Sequence, residues 1–223
     1  MTRPPSLPGV AGIVLAGGLS SRFGSDKLAA PYAGGTLLDA AIRSVAAVCD
    51  EVIVVLSPDG PPPSLPPDLG IPVRFVRDAE EAGGPLAALP GALRETVAQL
   101  VLVVAGDTPR LPPGVARLLL GALADPGPAR PGLGFGRSHS RASAAALLVD
   151  GSFQPLPLAL RREPAEQAAT RLIAGGESSL RSLLAALGAT GVPEVTWRAE
   201  DPAADALRDV DTPGDLADLA PRA

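Results

Sequence analysis

Two kinds of apolar run alternate along the chain. Short, nearly continuous stretches rich in Val, Ile and Leu occur at Val10–Ala16, Glu51–Leu56, Ile71–Val76 and Leu100–Ala105. Runs of this length without polar alternation suit strands of a parallel sheet, because helices cover both of their faces. Between them apolar positions recur at helical spacing. Leu38, Ala41, Ile42, Val45 and Val48 make one stripe, and Leu86, Leu89, Leu93 and Val97 another. The alternation predicts an α/β fold, a three-layer sandwich around a mostly parallel, Rossmann-like sheet. Ser143–Val149 and Glu194–Trp197 are weaker strand candidates, and a helix is expected to begin near Pro112. Two segments carry no periodicity: Ser57–Gly70, rich in proline, and Asp125–Arg141, rich in Gly, Pro and Arg. Both read as surface loops. With neither an internal repeat nor a linker between cores, residues 1–223 are expected to form one domain.

A chain of 223 residues can bury a substantial core without disulfides or a structural metal. Only 3% of it is aromatic, so that core must be built from Ala, Val, Leu and Ile. The net charge of -5 disfavours nucleic acid as a partner, since such partners bind broad basic surfaces. A small anion held by a few local cations stays open. No apolar run approaches the roughly 20 residues of a spanning helix, and the first residues lack a secretory core, so neither a membrane nor export is expected. A cytoplasmic protein is the expectation. Cys49, the one cysteine, lies on an apolar helical face and reads as a small buried core residue.

Ligands of open parallel sheets bind outside the carboxyl ends of the strands. Three polar groups are placed there: LAGGLSSRFGSDK (15–27) after the first strand, Asp78 after the third, and Gly106-Asp107 after the fourth. Gly17 and Gly18 let the backbone approach a ligand with its N–H groups turned inward, Ser20 and Ser21 add small donors, and Arg22 and Lys27 bring charge. A loop of this kind suits a triphosphate. It is not a Walker loop, because Leu follows Lys27 and the glycine spacing differs. Lys27 is the one lysine among nineteen basic residues. In a chain so biased towards arginine, its retention points to a place where a compact ammonium fits between phosphate oxygens and a planar fork does not. Asp107 would be repelled by a triphosphate unless a divalent cation lay between them, and magnesium takes one or two carboxylates beside phosphates and water. The competing role is a cap on the turn into the helix near Pro112. His139, Arg137 and Arg141 belong to a loop, where the arginines could meet an anionic acceptor.

Together, LAGGLSSRFGSDKL, RDAEEAGGPLAAL and VVAGDTPRLP resemble the molybdenum cofactor guanylyltransferases and their near relatives among the nucleotidyltransferases. FQPLPLALR, GESSLRSLLAAL and DVDTPGDL agree with this, so the resemblance runs from about Val10 to Leu219. It implies a nucleotide-diphospho-sugar transferase type of fold and transfer of GMP from GTP to the terminal phosphate of molybdopterin, with magnesium as cofactor and pyrophosphate released. It implies further that the backbone of Leu15, Ala16, Gly17 and Gly18 holds the nucleotide, that Lys27 contacts its phosphates, with Arg22 beside it among the catalytic candidates, and that Asp78 helps bind guanine. Asp107 matches the magnesium ligand, and Asp211 is the candidate for a second. Three departures stand out. SPDGPPPSLPPD contains none of the asparagines that often touch the nucleotide there, and Ala88 replaces a glycine in a way expected to crowd its turn slightly. Asp209-Val210-Asp211 stands where many members have two asparagines associated with the pterin. Thr212, Pro213 and Asp215 predict a capped helix start in either case. Transfer of CMP to the same pterin, transfer to a sugar phosphate, and a nucleotide-binding accessory without catalysis remain the alternatives.

Overall fold

The computed structural model describes residues 9–17, 26–59, 63, 65–66, 69–78, 83–124 and 142–219. Within them the first strand, β1 (Val10–Ala16), leads through a short 3-10 turn (Lys27–Ala29) and a small hairpin, β2 (Pro31–Tyr32) and β3 (Gly35–Thr36), into helix α1 (Leu37–Ala46). Then follow β4 (Glu51–Leu56), β5 (Val73–Arg77), α2 (Gly84–Ala87), α3 (Leu89–Arg94), β6 (Leu100–Ala105) and α4 (Pro113–Ala124). The remainder is β7 (Ala144–Val149), β8 (Ser152–Arg161), α5 (Arg162–Ala174), α6 (Leu180–Ala186), β9 (Thr190–Val192), α7 (Glu194–Glu200) and α8 (Pro213–Asp218).

The main sheet has the order β5-β4-β1-β6-β8-β7-β9. β5, β4, β1 and β6 are parallel, β8 runs against both β6 and β7, and β9 is parallel to β7, so β8 is its one reversed strand. Alternate residues of each strand enter two separate cores, as the pleat requires. Val14, Val52, Val54 and Leu102 pack with α1, α4 and Trp197 on one face. Ile13, Ile53, Val101 and Val103 pack with α3, α5 and α6 on the other. This is the expected three-layer α/β arrangement. Cys49 is fully buried in the first core as expected, although it lies just past the end of α1 and not on a helical face.

Four expectations need correction. Glu194–Trp197 is not a strand but the start of α7. Pro193 holds an extended N-cap, Glu194 pairs with Arg198 one turn on at 2.7 Å, and Trp197 is buried with its indole N–H donating to the Leu148 carbonyl at 2.9 Å. The short strand of this region is β9, just before it. Leu86, Leu89 and Leu93 are buried as expected, but Val97 is 94% exposed because the helix has already ended at Arg94. β5 begins at Val73 and runs one residue beyond Val76. Ala88 sits at helical angles between α2 and α3 and is buried, so its methyl is accommodated there.

β8 has no counterpart among the strands expected from the pattern. It pairs with β7 across Asp150-Gly151, both at positive φ (48° and 75°), the geometry that suits a two-residue hairpin turn of type I′. Its Pro155 and Pro157 lie where the register to β7 shifts and before pairing to β6 begins at Leu158, so their missing N–H groups cost no ladder bond. The Asp125–Arg141 segment, with His139, Arg137 and Arg141, lies outside the described residues.

Candidate active site

At the carboxyl edge of the parallel strands, β1 and β6 end side by side. The Gly106 N–H donates to the Leu15 carbonyl at 2.9 Å. A side chain at Gly106 would come within 3.2 Å of that carbonyl and 3.4 Å of both Ala16 Cα and Leu38, so glycine lets the two strand ends close up. Leu15 and Ala16 are still in the sheet, opposite Val55 and Leu56 of β4. Gly17, just past the strand, still lies beside the Ser57 backbone. Gly18, Arg22 and the serines between them lie outside the described residues.

The Asp26 carboxylate accepts the Leu28 N–H at 3.1 Å and so caps the 3-10 turn that begins with Lys27. This places the Lys27 ammonium between two acids from distant parts of the chain: Asp107 Oδ2 at 2.7 Å and Asp211 Oδ1 at 3.1 Å. The ammonium end is largely shielded, with 17% of the Lys27 side chain exposed. Burial pulls the Lys27 pKa down, but the hydrogen bonds and charges of Asp107 and Asp211 outweigh it, and the group ends above the ordinary lysine value. Lys27 is therefore firmly cationic at neutral pH. The cap role for Asp107 does not hold, since its carboxylate receives Lys27 and α4 begins only at Pro113.

The Asp209–Asp211 segment is sewn onto the turn after β6. The Val210 N–H donates to the Asp107 carbonyl at 3.0 Å, and the Thr108 hydroxyl donates to Asp209 Oδ1 at 2.8 Å. Val210 is completely buried against Tyr32, Leu37 and Leu219. Burial raises the Asp209 pKa, Thr108 opposes this, the neighbouring Asp107 and Asp211 add to it, and Lys27 subtracts. Directly afterwards Thr212 and Asp215 form the expected capping box of α8: the Thr212 hydroxyl accepts the Asp215 N–H at 3.2 Å, and the Asp215 carboxylate accepts the N–H groups of Thr212 and Asp211 at 2.7 and 3.0 Å.

Asp78 stands at the same sheet edge, its N–H donating to the Leu56 carbonyl at 2.8 Å just past the end of β5. With β4 and β1 between β5 and β6, it is roughly 14 Å from the Asp107 turn, three strand spacings. The edge therefore has a charged end at Lys27, Asp107 and Asp211 and a third carboxylate three strands away. Gly84, at φ 71°, opens α2 beyond Asp78 in a conformation that favours glycine. Thr108 and Arg110 were not singled out from the sequence as site residues. Asp209 was noted only as a departure beside Asp211, and its spacing of two from Asp211, which in an extended segment lays both acids on one side, was the signal that could have joined the two. Among the described residues no group of three or more His, Cys, Asp or Glu is arranged to hold a metal, and no helix is long and apolar enough to cross a membrane.

A parallel sheet whose edge carries a glycine turn, a shielded lysine and two carboxylates facing it is the organisation of an α/β nucleotidyltransferase. Residues 12–197 match the MobA-like NTP transferase domain, and the chain belongs to that family. It is 32% identical over 93% of its length, and 91% of the relative's, to the probable molybdenum cofactor guanylyltransferase of Chloroflexus aggregans. Among solved structures, the molybdopterin-guanine dinucleotide biosynthesis protein A of Archaeoglobus fulgidus superposes with a TM-score of 0.67 at 20% identity, covering 93% of this chain and 95% of that one. The 2-C-methyl-D-erythritol 4-phosphate cytidylyltransferase of Thermus thermophilus superposes at 0.59 and 21% identity, covering 92% and 94%. At such identities these two share the fold. The family resemblance read from the LAGG and GDTP motifs is borne out, and the chain is a nucleotidyltransferase.

Proposed function

We propose that the protein acts as one catalytic unit in the cytoplasm and transfers GMP from GTP to the terminal phosphate of molybdopterin, releasing pyrophosphate. The observation that carries this reading is the Lys27 ammonium held at 2.7 and 3.1 Å from Asp107 and Asp211, at the edge where β1 and β6 end side by side. The relative named as a probable molybdenum cofactor guanylyltransferase, aligned over nearly the whole chain, supports the choice of donor and acceptor. In this reading the backbone from Leu15 to Gly18 receives the nucleotide phosphates, Asp78 the guanine end, and Lys27, with Arg22 from the same loop, balances their charge. An acceptor phosphate is already ionised at neutral pH, so no general base is required. What the residues must do is hold two anions in line and offset charge on the departing pyrophosphate.

Two carboxylates that aim oxygens at one cation form a donor set suited to magnesium, which usually takes one or two carboxylates and completes its shell with phosphate and water. Asp107 would hold it, with Asp211 as second ligand, and the metal would neutralise charge on the triphosphate. Lys27 then turns from the acids towards the phosphates. Asp209 and Asp211 face the acceptor side, where two acids in place of amides make an anionic acceptor dependent on the cations around it. A screen of GTP, CTP and ATP against molybdopterin and sugar phosphates, scored by pyrophosphate release, tests the proposal. Release specific to GTP with molybdopterin is expected. A preference for CTP or for a sugar phosphate would move the protein to another branch of the fold.

A further inference from the structure

The three segments that meet at Lys27 meet a second time. Arg110 stands three residues beyond Asp107, Tyr32 five beyond Lys27, and Leu219 eight beyond Asp211. Arg110 Nε donates to the Tyr32 hydroxyl oxygen at 2.7 Å, one of its terminal nitrogens donates to the Leu219 carbonyl, and the Tyr32 hydroxyl donates to that same carbonyl at 3.3 Å. The other terminal nitrogen lies 3.5 Å from Asp205. Leu219 closes the carboxyl end of α8, where unpaired carbonyls attract a cation. Asp211 stands just outside the amino end of the same helix, whose six residues span only about 9 Å. A rigid rod so short transmits any tilt at one end to the other. Water could satisfy the Leu219 carbonyl, since the Arg110 side chain is 34% exposed, but water could not fix it against a buried tyrosine.

We propose that Arg110 and Tyr32 are positioning residues: their joint hold on the Leu219 carbonyl sets α8 and the Asp209–Asp211 segment so that Asp211 and Asp107 bracket Lys27. The burial of Val210 beside Tyr32 links the two ends of this device, because Val210 is also the residue whose N–H grips Asp107. The consequence for turnover rests on the proposed transferase reaction; the geometric claim does not.

Lys27 is the chain's one lysine, so acylation by an amine reagent, read peptide by peptide, reports its accessibility alone. Tyr32→Phe keeps the ring in its core and removes only the hydroxyl, while Arg110→Met keeps the stem and removes every donor. Both should raise the Lys27 acylation rate about tenfold in the protein without nucleotide, as the loss of a charge-assisted contact allows. Arg161→Met is the control. Arg161 holds the carbonyls of Ala142 and Leu123 in a comparable clamp, but at the opposite edge of the sheet, beside Leu100. It should lower the melting temperature and leave Lys27 acylation unchanged. Unchanged acylation in a folded Tyr32→Phe variant overturns the proposal, and this variant decides alone if Arg110→Met does not fold. In a second arm, the magnesium concentration giving half-maximal pyrophosphate release from GTP should rise in Tyr32→Phe. If the wild-type protein releases none, the reaction assigned above fails while the acylation result still stands.

Discussion

Lys27 answers to two demands at once. Its ammonium offsets two carboxylates that would otherwise repel each other, and in the proposed reaction it would leave them for phosphate oxygens. A guanidinium could match either carboxylate through its planar fork, but it is wider and binds them bidentately, so it would be slower to let go. Lys27→Arg should therefore stay folded and lose much of its transfer activity. Lys27→Ala should lose as much or more, about 2 to 4 kcal/mol of transition-state stabilisation. Steady-state pyrophosphate release checks both, and near-normal turnover of the arginine variant would sink the shape argument. Asp107→Asn separates the acid's two partners. It keeps size and some hydrogen bonding with Lys27 but removes the charge that would hold magnesium, so turnover should fall by orders of magnitude while GTP affinity measured in chelator holds or rises. Wild-type magnesium dependence in this variant would move the ligand to Asp211. The sequence named all three of these side chains, each from its own local setting. Their mutual contact was not legible there, because Asp211 lies 184 positions from Lys27 and no spacing rule reaches that far.

Local chemistry set the beginnings of elements better than their continuation. The capping box at Thr212 is complete within four residues, so it could be read directly. It also makes a pH prediction. Hydrogen bonds from the Thr212 hydroxyl, the Thr212 N–H and the Asp211 N–H lower the Asp215 pKa below its ordinary value of 3.8. A depressed carboxyl pKa adds stability above the unfolded value, and that contribution is lost as pH falls through the folded value. Asp215→Asn should thus melt below the wild type at pH 7, and the gap should shrink as the pH falls below the unfolded value of about 4 and through the lower folded value, beneath which the carboxyl is neutral in both states. A gap independent of pH in thermal melts would show that the charge has no part in the cap. The longer elements were harder. β8 was missed because two prolines argue against an inner strand, although Asp150-Gly151 between two apolar runs was the hairpin signal. The Leu86 to Val97 stripe was followed one turn too far because period alone does not say where a helix stops. Glu194–Trp197, with its valine, threonine and tryptophan, carries strand propensity, and the burial of Trp197 from α7 against β7 overrode it.

Trp197 and the charged cluster stand over different strands of one sheet. Trp197 ties α7 to β7 at the far side of the sheet, while the charged cluster sits above β1 and β6. Trp197→Phe would leave the Leu148 carbonyl without its buried donor and cost about 1 to 3 kcal/mol in urea unfolding. Its KM for GTP should change little, because α7 reaches the site only through its C-cap Asp201, whose carboxylate accepts the N–H groups of Asp205 and Ala206 ahead of the Asp209–Asp211 segment; a large rise would mean that this link reaches the nucleotide. Apolar runs of six or seven residues and the LAGG and GDTP turns were enough, by themselves, to specify parallel strands, covered faces and the sheet edge where the polar residues gather, since each is a local consequence of burial and backbone freedom. Strand order was a different matter. Insertion of the reversed β8 beside β6, the placing of Asp78 three strands from Asp107, and the return of the last helix to the first loop depend on which surfaces pack together once the chain has folded. The bracketing of Lys27 by Asp107 and Asp211 belongs to that second group, because the buried contacts of Tyr32, Val210 and Leu219 bring the acids together against their own repulsion.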